Sequence, residues 1–133
     1  MLKKQHTEIR DIMKAIEVAA LQELESNAEF IARNINILSG KLKMHLMSED
    51  RFLYPSLEKS TNKVIKTTAQ QYNQEMGGLA KEFLFFVQQY NIPSKILAGK
   101  SAFSHDAKRV FKMIKERMDR EDQHLYPLLE KNR

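Results

Sequence analysis

The chain has no cysteine, no tryptophan and no long apolar run among its 133 residues. Without cysteine it can form no disulfide, thiolate zinc site or cysteine nucleophile, which is compatible with the cytoplasmic location that we expect. No apolar segment reaches the roughly 18 residues of a membrane span. The first residues, MLKKQHTEIRD, turn polar at once and lack the apolar stretch of a secretory signal. We therefore expect no association with a membrane.

A concentration of positive charge is also lacking, although the net charge is +5 and the sequence pI is about 9.4. Most lysines and arginines stand near acids, which is typical of solvated helix faces and not of a basic binding surface. Examples are Glu8 with Arg10, Lys115 with Glu116, and Arg120 with Glu121. Because no strip of mixed aromatic and basic residues is present for stacking on bases, we expect no nucleic-acid partner.

Only three prolines and four glycines interrupt the chain, and hydrophobic residues make up 42% of it. This composition and the length of 133 residues indicate one globular domain over residues 1–133. Apolar residues recur every three to four positions, the period of an amphipathic helix. The spacing predicts helices over residues 3–25, 27–54, 61–90 and 102–132. We expect an all-α fold, an antiparallel up-down-up-down four-helix bundle.

Two local features of these helices, a proline and a pair of glycines, lead to further predictions. Pro55 lacks an N–H, so the second helix should kink or end near Tyr54. The rings of Tyr54 and Tyr126 should cover one end of the bundle. Gly77 and Gly78 lie inside the third helix, where each glycine costs roughly 1 kcal/mol relative to alanine. The close approach of a neighbouring helix would explain this pair.

The second and fourth helices carry a repeated segment. Residues 43–59 read KMHLMSEDRFLYPSLEK, and residues 115–131 read KERMDREDQHLYPLLEK. At a shift of 72 positions, both contain Glu-Asp, two variable residues, Leu-Tyr-Pro, and then Leu-Glu-Lys after one further residue. The repeat predicts two helical hairpins that are related by an approximate two-fold axis.

Polar residues on the inward helix faces form a candidate site. His45 and Glu49 are four residues apart, so they project from one face of the helix, one turn from each other. His6 is in register with the apolar positions Ile9 and Met13, so its side chain points to the same interior. Two histidines and one carboxylate, with positions left open, form the ligand set expected for non-haem iron(II). The corresponding residues of the second half are Tyr72, Arg117 and Glu121.

Three segments match the motifs of a known family. They are His6 within QHTEI, the segment HLMSEDRFLYP from residue 45, and the segment EDQHLYP from residue 121. With them, the chain resembles the hemerythrin HHE cation-binding family over nearly its whole length. The resemblance implies a four-helix bundle with a non-haem di-iron centre for binding, sensing or storing dioxygen, nitric oxide or iron. By position, His6, His45 and Glu49 match family ligands of the first two helices, and Glu121 matches the bridging acid of the last helix.

The second half departs from the family pattern at three positions. The family has histidines on the third helix and another on the fourth helix, one turn before the acid. This chain has Tyr72, Met76 and Arg117 instead. Arginine stays protonated and has no lone pair for a metal, and the tyrosine pKa near 10 disfavours a phenolate ligand. A complete di-iron centre is therefore not expected.

Without these ligands, the chain should bind fewer metal ions than a di-iron centre holds. We hypothesise that the Arg117 guanidinium takes the place of the second iron and bridges Glu49 and Glu121. At most one ion would then remain, on His6, His45 and Glu49.

Three functions remain open at this point. The first is a hemerythrin-like cation-binding module, with one non-haem iron as cofactor and a small diatomic gas or a metal ion as ligand. The second is a metal-free bundle that acts as a structural module or binds a protein partner, with Arg117 replacing the second metal. The third is oxygen or peroxide chemistry, but no nucleophile–base pair or phosphate loop indicates an enzyme. His124, three residues after Glu121, is a candidate for the rim of the site, and the sequence leaves the oligomeric state open.

Overall fold

Four long helical rods form an antiparallel bundle, and the predicted all-α up-down-up-down fold is confirmed. The computed structural model describes residues 2–131, with side chains described for residues 2–129, and this range contains no strand. The first rod is helix α1 (Leu2–Gln22). The second rod consists of α2 (Ala28–Ser48), a π-helical turn (Glu49–Leu53) and α3 (Tyr54–Glu58).

The third and fourth rods follow the same plan with one addition between them. The third rod is α4 (Lys63–Tyr90), and it leads into the short helix α5 (Pro93–Ala98), which packs against α2 and α4. The fourth rod consists of α6 (Lys100–Arg120), a second π-helical turn (Glu121–Leu125) and α7 (Tyr126–Lys131). None of the helices in residues 2–131 is both long enough and apolar enough to span a membrane.

The helix ends differ from the predicted ones by a few residues. The start of α4 agrees with the sequence, because Asn62 caps it: its side-chain oxygen accepts the N–H of Val64 at 2.9 Å. Asn27, the predicted first residue of the second helix, directly precedes α2, and its side chain makes no cap but donates to the carbonyl of Ala19 at 3.1 Å. The predicted end of the last helix, Asn132, lies outside the described residues.

The two π-helical turns stand at equivalent places in the repeat. The Tyr54 N–H donates to the carbonyl of Glu49, five residues back, and the Tyr126 N–H donates to the carbonyl of Glu121. In an α-helix a proline ring collides with the carbonyl four residues back. The wider turn relieves that collision, so the second rod does not end near Tyr54 but continues past Pro55 through α3.

Buried apolar residues form two clusters, one on each side of a buried polar layer. Along the second rod, Leu42 belongs to the larger cluster and Leu53 to the smaller one, with His45 and Glu49 between them. The smaller cluster at the end of the bundle consists of Leu53, Tyr54, Leu57, Ile65, Ala69, Tyr72, Leu125 and Tyr126. Tyr54 and Tyr126 therefore lie inside this end of the bundle, 2% and 6% exposed, instead of merely covering it.

The glycine pair of α4 has no packing role. A Cβ built on Gly77 or on Gly78 would meet no atom within 4 Å, so the expected close approach of a neighbouring helix is wrong. Gly99, between α5 and α6, differs, because a Cβ there would lie 3.3 Å from a ring carbon of Tyr90.

We expect Gly77→Ala and Gly78→Ala each to raise the free energy of unfolding by up to about 1 kcal/mol, because alanine restricts the unfolded chain and extends the helix without a clash. Urea unfolding of the metal-free protein measures this. Gly99→Ala is the control and should bring no gain, since its methyl group presses on Tyr90. If either α4 substitution instead lowered the free energy of unfolding, other atoms would have to lie against this face of α4, contrary to the structure.

Candidate metal centre

Among the side chains that the structure describes, five polar or charged ones are buried between the two apolar clusters. They come from α1, from the second rod and from the fourth rod, and each is at most 5% exposed: His6, His45, Glu49, Arg117 and Glu121. The structure thus brings together all four residues that the sequence nominated as metal ligands.

The ligand atoms of this group converge on one point. His6 Nε2 lies 3.0 Å from His45 Nε2 and 3.0 Å from Glu121 Oε1. His45 Nε2 lies 3.6 Å from the same Glu121 oxygen and 3.4 Å from Glu49 Oε1. The closest triad, within which all ligand atoms are less than 4.8 Å apart, is His6, His45 and Glu121. Glu49, which the sequence placed in the triad, stands beside it.

The outer ring nitrogens of both histidines have acceptors as partners. His6 Nδ1 lies 3.0 Å from Asp122 Oδ1, and His45 Nδ1 lies 2.8 Å from Gln5 Oε1. A carboxylate and an amide oxygen accept hydrogen bonds, so both Nδ1 atoms carry protons. In a neutral imidazole the other nitrogen then has a lone pair. Both Nε2 atoms therefore face Glu121 and can bind a metal ion when they carry no proton, the arrangement by which outer partners orient histidine ligands of metals.

The two carboxyl groups also bring buried oxygens to the centre. Glu49 Oε1 and Glu121 Oε2 are buried, and the partner that the protein itself supplies is a proton shared between the two carboxyl groups. Buried acceptors need a partner, and these carboxyl groups stand beside the two Nε2 atoms. A single cation would contact several of these atoms at once, so the residues present fit one bound metal ion. The donor set of two nitrogens and a carboxylate oxygen is that of non-haem iron sites.

The two carboxyl groups have opposite pKa shifts. Burial, followed by the hydrogen bond and the charge of Glu121, raises the pKa of Glu49 to about 10. Burial alone would also raise the pKa of Glu121, but hydrogen bonds from His45, His6 and Glu49 together lower it below its ordinary value. Without a metal, Glu49 is thus protonated at neutral pH and Glu121 is ionised.

A third oxygen reaches the centre from a residue that the sequence assigned only to packing. The Tyr126 hydroxyl lies 2.9 Å from His6 Nε2 and 3.2 Å from Glu49 Oε2. Burial, followed by the charges of Glu121 and Glu49, raises the pKa of Tyr126 well above its ordinary value, so the phenol keeps its proton. Tyr126 follows Glu121 by five residues, which is about 140° around an ordinary α-helix. The intervening π-helical turn brings both side chains inward, and no α-helical period could have predicted this.

Other residues that support the centre were missed as well. Asp122 accepts from His6 and is itself held by Arg10, whose Nη2 donates to Asp122 Oδ2 at 3.1 Å. Gln5 orients His45. Asp122 belongs to the repeated Glu-Asp pair, and Gln5 directly precedes His6, so both lie next to a predicted ligand in the sequence. Neither residue type alone indicates that the side chain orients a histidine.

The second half of the bundle holds an arginine in place of ligands. The Arg117 guanidinium lies 4.4 Å from the centre of the Tyr72 ring, and it donates to the Tyr72 carbonyl. Its Nη1 donates to Glu75 at 3.0 Å, and its Nη2 lies 3.5 Å from the Tyr54 hydroxyl. Its Nε lies 3.9 Å from Glu121 and is unpartnered.

The predicted arginine bridge between two buried carboxylates is therefore wrong. Among the described residues, Arg117 lies within ion-pair distance of Glu121 but not of Glu49. The reason is that Glu75 and Tyr72 draw its guanidinium toward α4. Met76 is buried in the larger apolar cluster. His124 has an exposed side chain and makes no hydrogen bond or ion pair with the described residues of the centre.

Comparison with known protein families identifies the family of the chain. The family model described as Hemerythrin HHE cation binding domain matches residues 1–129. That range contains every residue of the centre described above. No curated protein and no solved structure matches the chain significantly.

We expect Glu49→Gln to stabilise the metal-free protein by roughly 0.5–2 kcal/mol at neutral pH, because it removes an ionisable group from a buried site. Folded Glu49 keeps its proton up to about pH 10, whereas an unfolded glutamate loses it near 4.5, so rising pH between these values favours unfolding of the wild type. The stability difference between variant and wild type should thus widen over this range.

Urea unfolding of the metal-free proteins at several pH values checks this expectation. Glu116→Gln is the control, since this side chain is 64% exposed and should change stability by less than about 0.5 kcal/mol. A difference between Glu49→Gln and wild type that is constant with pH would contradict the raised pKa.

Proposed function

This chain belongs to the hemerythrin HHE cation-binding family, and on that premise we propose that it binds one divalent metal ion at His6, His45 and Glu121. The observation that carries the proposal is the pair of Nε2 atoms 3.0 Å apart, with a carboxylate oxygen against both. With both Nδ1 atoms committed to Asp122 and Gln5, the lone pair that each neutral ring can offer to a metal ion is on Nε2. A metal ion would therefore be bound by both Nε2 atoms and the Glu121 oxygen beside them.

Iron(II) is the ion that we propose. Two histidines and one carboxylate with open positions suit non-haem iron(II), and a small diatomic ligand such as dioxygen or nitric oxide can occupy such positions. Glu49 and Tyr126 border the same space, with Tyr126 as a hydrogen-bond donor and Glu49 as a further carboxylate. In this proposal the two histidines and Glu121 hold the ion, and the Tyr126 hydroxyl, which donates to Glu49, borders the open positions.

We further propose that the site holds one ion and not two. Arg117 supplies a fixed positive charge on the side of the centre where family members have additional histidines, and it has no lone pair for a second ion. Its hydrogen bonds to Glu75 and the Tyr72 carbonyl, and its stacking on the Tyr72 ring, hold it there. The wholly metal-free module remains the alternative, and metal analysis separates the two.

We expect the purified protein to take up about one iron(II) per chain, and His45→Ala to abolish this uptake. Anaerobic dialysis followed by metal analysis measures the stoichiometry, with manganese and zinc as competitors. His105→Ala and His124→Ala are matched controls with exposed side chains, and they should bind like the wild type. Two tightly bound irons would overturn the role given to Arg117, and no uptake by the wild type would favour the metal-free alternative.

The orienting role of Asp122 allows a finer test. Asp122→Asn should weaken iron binding by about 10- to 100-fold, as is usual when the partner of a histidine ligand is changed. Asp119→Asn is the control, because Asp119 also pairs with Arg10, at 2.9 Å, but does not touch His6. Equal loss in both variants would assign the effect to Arg10 and not to the orientation of His6.

A further inference from the structure

A slot rimmed by lysines runs along the outside of the bundle between α1 and α6. Its volume is about 560 Å³, and it shares no residue with the metal centre. The floor is apolar: Ala20 and Ala107 line it, and their short side chains leave open the space that larger residues would fill. Beneath them Ile16 and Phe103 are fully buried, so they close the slot toward the core and present no surface of their own.

Positive charge follows one rim of this slot. Lys108, Lys112 and Lys115 are spaced four and three residues apart, so they lie along one face of α6. Lys115 is paired with Glu17 at 2.7 Å, and Lys112 approaches Glu116 only at 3.9 Å. Lys108 has no ion-pair partner among the side chains that the structure describes. The slot thus combines an apolar floor with unneutralised positive charge at its edge.

We propose that this slot binds the free anion of a long-chain carboxylic acid, with the alkyl chain on the apolar floor and the carboxylate at the lysines. The two features that such a ligand needs, an apolar groove and a cationic edge, occur together here. From Phe103 to Lys115 the slot follows α6 for about 18 Å, given 1.5 Å per helical residue. Its volume is in the range of small-ligand sites.

A helix of a partner protein fits the slot less well. A docked helix is about 10 Å across and needs a broad apolar face on its receptor. Here the apolar surface is narrow and consists of Ala20, Ala107 and the exposed Leu21, and Glu17, Ser104 and the lysines interrupt it. Only a slender chain reaches that floor while its charged end stays at the edge.

Dodecanoate below its micellar concentration is the probe. Amide chemical shifts of the ¹⁵N-labelled protein locate the binding site, and calorimetry gives the affinity. We expect shifts in α1 and α6 around Ala20 and Ala107, and weaker binding of dodecanol and of dodecyltrimethylammonium. The same affinity in His45→Ala would show that the slot acts independently of the metal centre.

Two sets of variants test the two features separately. Lys108→Gln/Lys112→Gln should weaken dodecanoate binding at least tenfold, whereas Lys66→Gln/Lys81→Gln, at exposed positions of α4, should leave it unchanged. Ala20→Leu fills the slot and should abolish binding without unfolding the protein, because Ala20 is only half-buried. Thermal unfolding of each variant verifies that it is folded.

The proposal is overturned if dodecanol or the ammonium compound binds as tightly as dodecanoate, or if Ala20→Leu retains full affinity. Shifts outside α1 and α6 would also overturn it. So would an acidic amphipathic peptide that binds this slot when dodecanoate does not, since the occupant would then be a protein.

Discussion

Two imidazole nitrogens that face each other across 3.0 Å, beside an ionised carboxylate, are the constraint on which the rest of this molecule depends. Nitrogens at that distance must share a proton or a metal ion, because two bare lone pairs would repel. Their positions are enforced from outside, by Asp122 on one ring and Gln5 on the other. The bundle therefore holds both imidazoles in place before an ion binds, and this lowers the ordering cost of binding.

The two halves of the repeat bring different groups to the centre. In the first half, His45 and Glu49 present lone pairs to the centre. In the second half, Arg117 brings a permanent charge, and the Tyr72 ring and Glu75 hold it beside Glu121 without neutralising that carboxylate. Buried charge is tolerated when it is paired, and Glu121 has Arg117 on one side and, on the other, the two histidines at which we propose that a metal ion binds.

The π-helical turns connect the fold to the centre. Each turn begins at an inward glutamate, Glu49 or Glu121, and ends just before a Tyr-Pro pair. The proline cannot be accommodated in a regular α-helix at that point, and the wider turn both admits it and rotates the tyrosine inward. The tyrosine hydroxyls then reach the polar layer from the apolar end cluster, Tyr126 to His6 and Tyr54 to Arg117. Such turns are frequent at functional sites.

The sequence by itself determined the four rods, the repeat and the inward positions of His6, His45, Glu49 and Glu121, because helical periodicity is a local property. Only the tertiary structure decided that Glu121 and not Glu49 completes the closest triad, since this depends on the distance between rods. The tertiary structure also decided that Arg117 pairs with Glu75 of α4. A pattern along one helix cannot indicate a contact with a residue of another helix. Tyr126 escaped prediction because a π-helical turn changes the period that any reading of the sequence assumes.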